Sequence, residues 1–344
     1  MTYDVSNVYN MLQPAFKERI RLNEPLSRHS TFGVGGPADI WLTVDNRNDL
    51  INLVEFCAEQ FVPLLVVGNG TNLLYTGAGV RGIVARIALT EYTIEDDGDG
   101  TGLLVAGAGV SWPKLLNELA PQGWGGLEFG PGIPGTLGGG VISNAGAHNS
   151  DLSQVLEWIE ILDARGTNRV AKEGGDDIVL PMPRRYMHDE LDLGYRQSRF
   201  RKDRRILFEG ERIVQPPRGM IEPGEIIMQL GIRLHRDDPQ KLRATIDAHK
   251  LHRKQTQPVQ ASAGSVFKNP PGDYSGRLIE QVGLRGYRHG KAQISERHAN
   301  FIVNLGGATA DDVLTLVREA HRRVLEQFGV DLELEVELRG EWEG

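Results

Sequence analysis

The sequence predicts an α+β fold in two or three lobes, and three observations carry the prediction. At 344 residues the chain exceeds what one hydrophobic core ordinarily serves. Its first part sets a strand-like run, a helix-like run and a second strand-like run in succession, the mark of a β-α-β unit. Further strand-rich stretches and a long final helix follow at intervals too wide to belong to that unit alone.

Residues 1 to about 25 read as a weakly patterned lead-in. Thr31 to Ala38 is a glycine-rich bend into the strand-like Asp39-Ile40-Trp41-Leu42-Thr43-Val44. A helix is expected over about 48–60, with Leu50, Val54 and Cys57 on one face. The continuous apolar run Val62-Pro63-Leu64-Leu65-Val66-Val67 reads as a strand buried on both faces. Strands follow between Gly82 and Ala108, then a short helix near Trp112 to Ala120, with further strands at Trp158–Leu162 and Glu225–Leu230. A helix over about 239–254 precedes the last lobe. There Val313, Leu316, Val317, Ala320 and Val324 recur at helical spacing from Ala310 to Phe328. Thr309 and Asp312 form a capping-box pattern, and Gly329 is placed to end the helix.

Composition excludes several classes. The net charge is −8, which argues against a general polyanion binder. Cys57 is the single cysteine, so no intramolecular disulfide or thiolate cluster can form, and its helical setting reads as a buried, inert thiol. Met1 to Val5 lacks the pattern of a secretory signal, and no apolar run reaches the roughly 18 residues of a membrane span. The expectation is a cytoplasmic monomer with no membrane or nucleic-acid partner. The 42 glycines cluster rather than repeat, pointing to loops where backbone approaches a ligand.

Two such loops stand out. Gly68-Asn69-Gly70-Thr71-Asn72-Leu73 follows the buried strand, and its amides and short polar groups suit a diphosphate; a polar turn would read the same way. Gly130-Pro131-Gly132-Ile133-Pro134-Gly135 matches G-x-G-x-x-G, yet two prolines and the lack of a preceding strand make it a poor dinucleotide fingerprint. Its continuation, Thr136-Leu137-Gly138-Gly139-Gly140 and then Ser143-Asn144-Ala145-Gly146-Ala147, allows backbone to lie flat against a planar ring.

Three more segments carry reactive groups. The strand-like Gly194-Tyr195-Arg196-Gln197-Ser198 contains Arg196, one cation among Arg199, Arg201, Lys202, Arg204 and Arg205; composition alone makes it a surface arginine. Ser265 lies in Ala263-Gly264-Ser265-Val266-Phe267-Lys268-Asn269-Pro270, where a serine after glycine is usually structural. Glu333, Glu335 and Glu337 alternate along a strand, which reads equally as a solvated acidic face. Together these offer a cation, a hydroxyl and a carboxylate, the groups that reduce a polarised carbon–carbon double bond.

The segments Y-R-x-S at 195–198, A-G-S-x-F-K-N-P at 263–270 and L-x-x-E-V-x-x-x-G at 332–340, with both glycine loops, resemble the UDP-N-acetylenolpyruvoylglucosamine reductase (MurB) family from about Leu26 to Gly340. The family's N-A-G-A-Y-G reads His148-Asn149 at its end here, and the aromatic two before Tyr195 is Leu193. Three later segments, at 275–280, 283–287 and 295–301, look like the shorter subtype, which lacks an extra tyrosine-bearing loop. The resemblance implies a two-lobed FAD-binding region of the MurB/vanillyl-alcohol-oxidase type plus a C-terminal α+β substrate domain. The lobes are expected at 1–91 and 92–257 and the substrate domain at 258–335, with 336–344 returning to the first lobe. It further implies noncovalent FAD, NADPH as hydride donor, and reduction of UDP-N-acetylglucosamine enolpyruvate in peptidoglycan precursor synthesis. Carried over residue by residue, Arg196 and Glu335 stabilise the enolate-like intermediate and Ser265 protonates it. Gly68 to Leu73, Gly109, Pro134, Gly135, Gly138, Gly139, Ser143, Asn144, Gly146 and Ala147 hold the cofactor. Tyr195, Arg253, Lys254, Lys268, Asn269 and His298 contact substrate. His249 and His252 share a helical face without a third ligand, so no metal site is expected. Segments 181–190 and 214–222 look like insertions without an assigned role. Another FAD oxidoreductase of the same fold is the competing reading, and a nucleic-acid module built on Arg184 to Arg205 the distant one.

Overall fold

The computed structural model describes residues 3–167, 180–202, 204–210, 212–216 and 218–342. The lead-in is a structural element, contrary to expectation. Val5–Phe16 is a helix capped by Asp4, and Ile20–Pro25 is a strand. Only Ile20 and Glu24 of the first five strand residues are buried, so the strand lacks the alternation that would have revealed it. It is an edge strand, paired antiparallel with Pro37–Val44.

The first sheet runs Ile20–Pro25, Pro37–Val44, Val80–Ile87, Leu64–Val67 and Ile221–Glu222. Helix Arg47–Gln60 connects two of its parallel strands and buries Leu50, Leu53, Val54 and Cys57. Leu64 packs into the main core while Leu65 and Val67 pack into a separate cluster with Leu26, Trp41 and Tyr75. The strand is therefore buried on both faces, as its unbroken apolar run requires. Ile221–Glu222 reaches this sheet from the segment of unassigned role, pairing parallel with Leu64 and Leu65; Pro217 of that segment lies outside the described residues.

The second sheet is antiparallel, in the order Met182–Met187, Leu156–Asp163, Glu225–Arg236, Thr101–Gly107 and Tyr92–Asp96, with Trp124–Gly125 pairing on Glu225–Arg236. Segment 181–190 supplies its edge strand. One continuous core joins both sheets, from Leu50 and Ile83 to Leu104, Trp112, Ile159 and Ile232.

A second core is built mostly from residues 263–338, including Phe267, Leu278, Ile294, Val313, Leu316 and Val324, and Phe32, Val34, Leu74 and Ile213 join it from the rest of the chain. Helix Ala310–Phe328 begins in a capping box of Thr309 and Asp312 and ends on Gly329 in the left-handed region at φ 67°, so its local signals and its tertiary role agree. Strand Glu337–Arg339 leaves this unit and pairs parallel with Leu73–Tyr75, which ties the chain's end to the first glycine loop; residues 343 and 344 lie outside the described residues. Among the described residues, no helix is long and apolar enough to cross a membrane.

Candidate functional site

The two glycine loops face each other across a cavity of about 380 Å³. The Thr71 hydroxyl donates to the Pro134 carbonyl at 3.4 Å. The first loop can be built only with glycine at Gly70. Its φ is 64°, and a Cβ there would sit 1.9 Å from the His29 carbonyl oxygen, a distance no side chain tolerates. In the second loop, Thr136 caps helix Leu137–Ser143 by accepting from the Gly139 amide.

Gly68 to Leu73, Pro134, Gly139, Ser143, Gly146 and Ala147 line the cavity, with apolar wall from Ile133, Ile142 and Phe301. Four expected cofactor residues sit behind that wall. Gly109 packs on the backbone of Ala88 and Leu89, Gly138 on Ala108, and Gly135 on Thr71. Asn144 is buried, at 1% exposure, and its side-chain amide donates to the Gly194 carbonyl at 3.0 Å. Asn144 thus aims its amide at the arginine segment.

That segment is a tight turn, where a strand was expected. Gly194 and Gln197 exchange backbone hydrogen bonds at 3.1 Å each, which leaves Arg196 at the turn's apex with φ 52°. A non-glycine residue there is strained, and surrounding contacts must hold it. Asn144 supplies one, and buried Ser198 supplies another by donating to the Ile142 carbonyl at 2.6 Å. Arg196 itself donates from Nη2 to the Gly146 carbonyl and from Nε to Glu335 Oε1, both at 2.8 Å.

Glu335 reaches this pair from the C-terminal segment. Its backbone carbonyl accepts from Asn72 Nδ2 at 2.9 Å and Arg201 Nη2 at 2.8 Å, and its amide donates to the Val266 carbonyl at 2.8 Å. Burial pushes its carboxyl above the ordinary range, against the pull of Arg196, Arg201 and Lys268. Glu333 is taken up by Lys268 Nζ at 2.5 Å, and Glu337 by Arg339. The alternating carboxylates therefore form a row of separate cation pairs, and only Glu335 pairs with the strained arginine.

Ser265 bridges to Phe301 across an isolated antiparallel contact. Asn300 fixes the neighbouring backbone by accepting from the Phe267 amide at 3.0 Å and donating to its carbonyl at 2.8 Å. Ser265 lines the 380 Å³ cavity together with Arg196 and Glu335, and it also lines a second cavity of about 460 Å³. Asn269, Arg277, Arg297 and His298 line that second cavity. Burial, with some repulsion from Arg285, holds the His298 imidazole below its ordinary value.

The remaining expected substrate contacts divide. Arg253 lines the first cavity. Lys254 is exposed and lines none of the cavities described. Lys268 lines a third cavity, and exposed Tyr195 accepts at its hydroxyl from the Asn269 amide at 3.3 Å. His249 stacks on His148 at 3.8 Å and His252 meets it edge-on; no group of three or more His, Cys, Asp or Glu among the described residues is arranged to hold a metal. Sequence reasoning missed Arg201, Asn300, Gln257 and Phe301. Asn300 and Phe301 lay within the family-like segment 295–301, but Arg201 and Gln257 carried no local signal.

Comparison with known proteins identifies the family. Residues 256–339 match the model of the UDP-N-acetylenolpyruvoylglucosamine reductase C-terminal domain, and residues 38–171 match that of a FAD binding domain. UDP-N-acetylenolpyruvoylglucosamine reductase 2 of Symbiobacterium thermophilum is 40% identical over 323 residues, 94% of this chain and 92% of that one. The reductase of Rubrobacter xylanophilus is 38% identical over 321 residues, 93% of this chain and 95% of its own. The crystal structure of MurB from Thermus caldophilus superposes with a TM-score of 0.69 at 35% identity, covering 93% of this chain and 97% of that one. Identity of this extent across both sheets and the C-terminal unit leaves one conclusion: the chain belongs to the UDP-N-acetylenolpyruvoylglucosamine reductase family.

Proposed function

We propose that the chain reduces UDP-N-acetylglucosamine enolpyruvate to UDP-N-acetylmuramate with NADPH and noncovalent FAD, using Arg196, Ser265 and Glu335. The observation that carries the residue assignment is the position of Ser265. It lies on the walls of both cavities, beside the wall that holds the Arg196–Glu335 pair.

The first cavity fits the cofactor by its own chemistry. Loop amides from Gly68 to Asn72 suit phosphates, and the apolar wall of Ile133, Ile142 and Phe301 suits a planar ring. FAD bound there would supply the hydride-transfer chemistry between NADPH and the enolpyruvyl carbon. The 460 Å³ cavity takes the nucleotide sugar, with Asn269 and His298 on its wall. Arg253 faces the substrate from the first cavity, while Tyr195 buttresses the Asn269 backbone.

Arg196, held at the turn apex, directs its guanidinium at charge developing on the substrate carboxylate. Glu335, with its proton affinity raised by burial, donates to the same oxyanion. Ser265 gives its hydroxyl proton to the adjacent carbanionic carbon, a base strong enough to take it. The same reading divides the chain into lobes at 1–91 and 92–257 and a substrate domain at 258–335, and takes the enzyme to be a cytoplasmic monomer.

Ser265→Ala tests the assignment. Flavin reduction by NADPH should proceed nearly as in the parent. Reoxidation by the enolpyruvyl substrate should slow by at least ~10²-fold, the effect of losing a positioned acid. Ser265→Cys should retain more activity, because a thiol can still donate. Stopped-flow absorbance separates the two half-reactions, and equal slowing of both would remove Ser265 from the proton-donor role.

A further inference from the structure

The basic run that follows Arg196 does not form an outward cationic face. It turns into a third cavity of about 270 Å³. Arg201, Arg204, Arg205, Arg218, Lys268 and Arg339 line it, in a chain whose net charge is −8. Half of these cations are already matched. Lys268 pairs with Glu333, Arg339 with Glu337, and Arg205 with Asp331 at 3.3 Å.

The other three are matched less fully, and of them Arg201 pairs with Glu337 at 3.8 Å and donates to the Glu335 carbonyl. Among the described residues, Arg204 makes no ion pair or side-chain hydrogen bond, and Arg218 donates only to the neutral oxygens of Gln215 and Leu338. Arg201 is 9% exposed at its side chain, and its Nη1 is buried without a partner. Glu337 and Glu222 attract Arg204, and Glu222 and Glu341 attract Arg218, but none of them closes an ion pair with either guanidinium among the described residues. Leaving guanidinium donors desolvated and unpaired is costly, and these also repel one another. Burial, reinforced by Arg339, lowers the proton affinity of Arg204. An anion in the cavity would reverse each of these costs. Planar arginine forks favour a tetrahedral oxyanion, which can accept from several at once. The volume lies just below the roughly 300 Å³ at which pockets begin to enclose whole drug-sized ligands, so the space suits a phosphate group and not an entire nucleotide.

We propose that this cavity is a binding site for a phosphate dianion, held by Arg204, Arg218 and the unpartnered amine of Arg201. It adjoins the 380 Å³ cavity, and Arg204, Glu337 and Arg339 lie on both walls. The dianion is either free phosphate or the phosphate end of a nucleotide coenzyme.

Inorganic phosphate titrated calorimetrically into the FAD-loaded protein, in a low-salt buffer free of other oxyanions, should bind saturably. Arg218→Gln should weaken that binding about tenfold or more, the loss expected for a charge-assisted partner. Arg253→Gln, in the neighbouring cavity, should leave it unchanged. Absence of saturable binding, or a loss that follows Arg253 instead of Arg218, overturns the proposal. A crystal soaked in selenate needs no variant: anomalous density beside Arg204 and Arg218 supports the site, and density confined to the other cavities overturns it. The source is separated by KM values. If Arg218→Gln raises KM for NADPH and not for NADH, the anion is the coenzyme's 2′-phosphate; if it raises neither while phosphate binding falls, the anion is free phosphate.

Discussion

Glu335 and Glu337 stand two residues apart on one segment, and their surroundings hold them in opposite ways. Both side chains are 16% exposed. Burial is the largest influence on each and pushes both carboxyls up. At Glu335 burial prevails, because its closest cation, Arg196, also donates to the Gly146 carbonyl. At Glu337 the nearby Arg339, Arg201 and Arg204 outweigh burial, and the carboxyl is held below its ordinary range. Desolvation alone therefore does not make a catalytic carboxyl; the supply of cations around it decides. One site retains proton affinity for chemistry, and the other is a fixed anion that holds arginines together.

The largest test of this contrast is kinetic. Glu335→Gln should slow reoxidation by the enolpyruvyl substrate by roughly 10²- to 10⁴-fold, with flavin reduction by NADPH preserved. Glu337→Gln should leave the per-site rate of reoxidation within a small factor of the parent, once flavin occupancy is matched. Stopped-flow traces of both variants settle the matter, and an equal loss at Glu337 would break the contrast.

The next effect is thermodynamic and reverses the order. Glu337→Gln leaves Arg339 and Arg201 facing each other without their shared anion, and should destabilise the fold by on the order of 3 kcal/mol. Glu335→Gln should cost less, because the charge removed was already disfavoured by burial. Urea unfolding followed by fluorescence gives both values.

The smallest effect is the pH dependence, and its sign sharpens the comparison. Glu335 binds its proton more tightly folded than unfolded, so ionising it opposes folding. Relative to Glu335→Gln, the parent should lose stability as pH rises above the ordinary carboxyl value of 4.5, at no more than about 1.4 kcal/mol per pH unit. Glu337 binds its proton less tightly folded than unfolded. Relative to Glu337→Gln, the parent should lose stability as pH falls below 4.5. Thermal melts across the acid range should show slopes of opposite sign, and slopes of the same sign would mean that one carboxyl's environment has been misjudged.

Much of this molecule was legible because its signals are local. Helix Ala310–Phe328 carries its own apolar stripe, capping box and terminating glycine. Leu64–Val67 announces burial on both faces by having no polar position. The order of the sheets and the strand Ile20–Pro25 were not legible, since an edge strand with two buried positions has no period to detect. In the site, motif resemblance named Arg196, Ser265 and Glu335, while composition on its own favoured a surface arginine, a structural serine and a solvated acidic face. The Arg196–Glu335 pair, the amide of Asn144 that holds the turn and the Arg201 donor to the Glu335 carbonyl depend on contacts between residues 50 to 139 positions apart. Spacing along the chain carries no trace of such contacts, because the groups become neighbours only when the lobes pack. Periodicity and caps therefore determined where the elements form. Packing decided that burial prevails at Glu335 while cations prevail at Glu337, because burial and charge pairing exist only in the assembled fold.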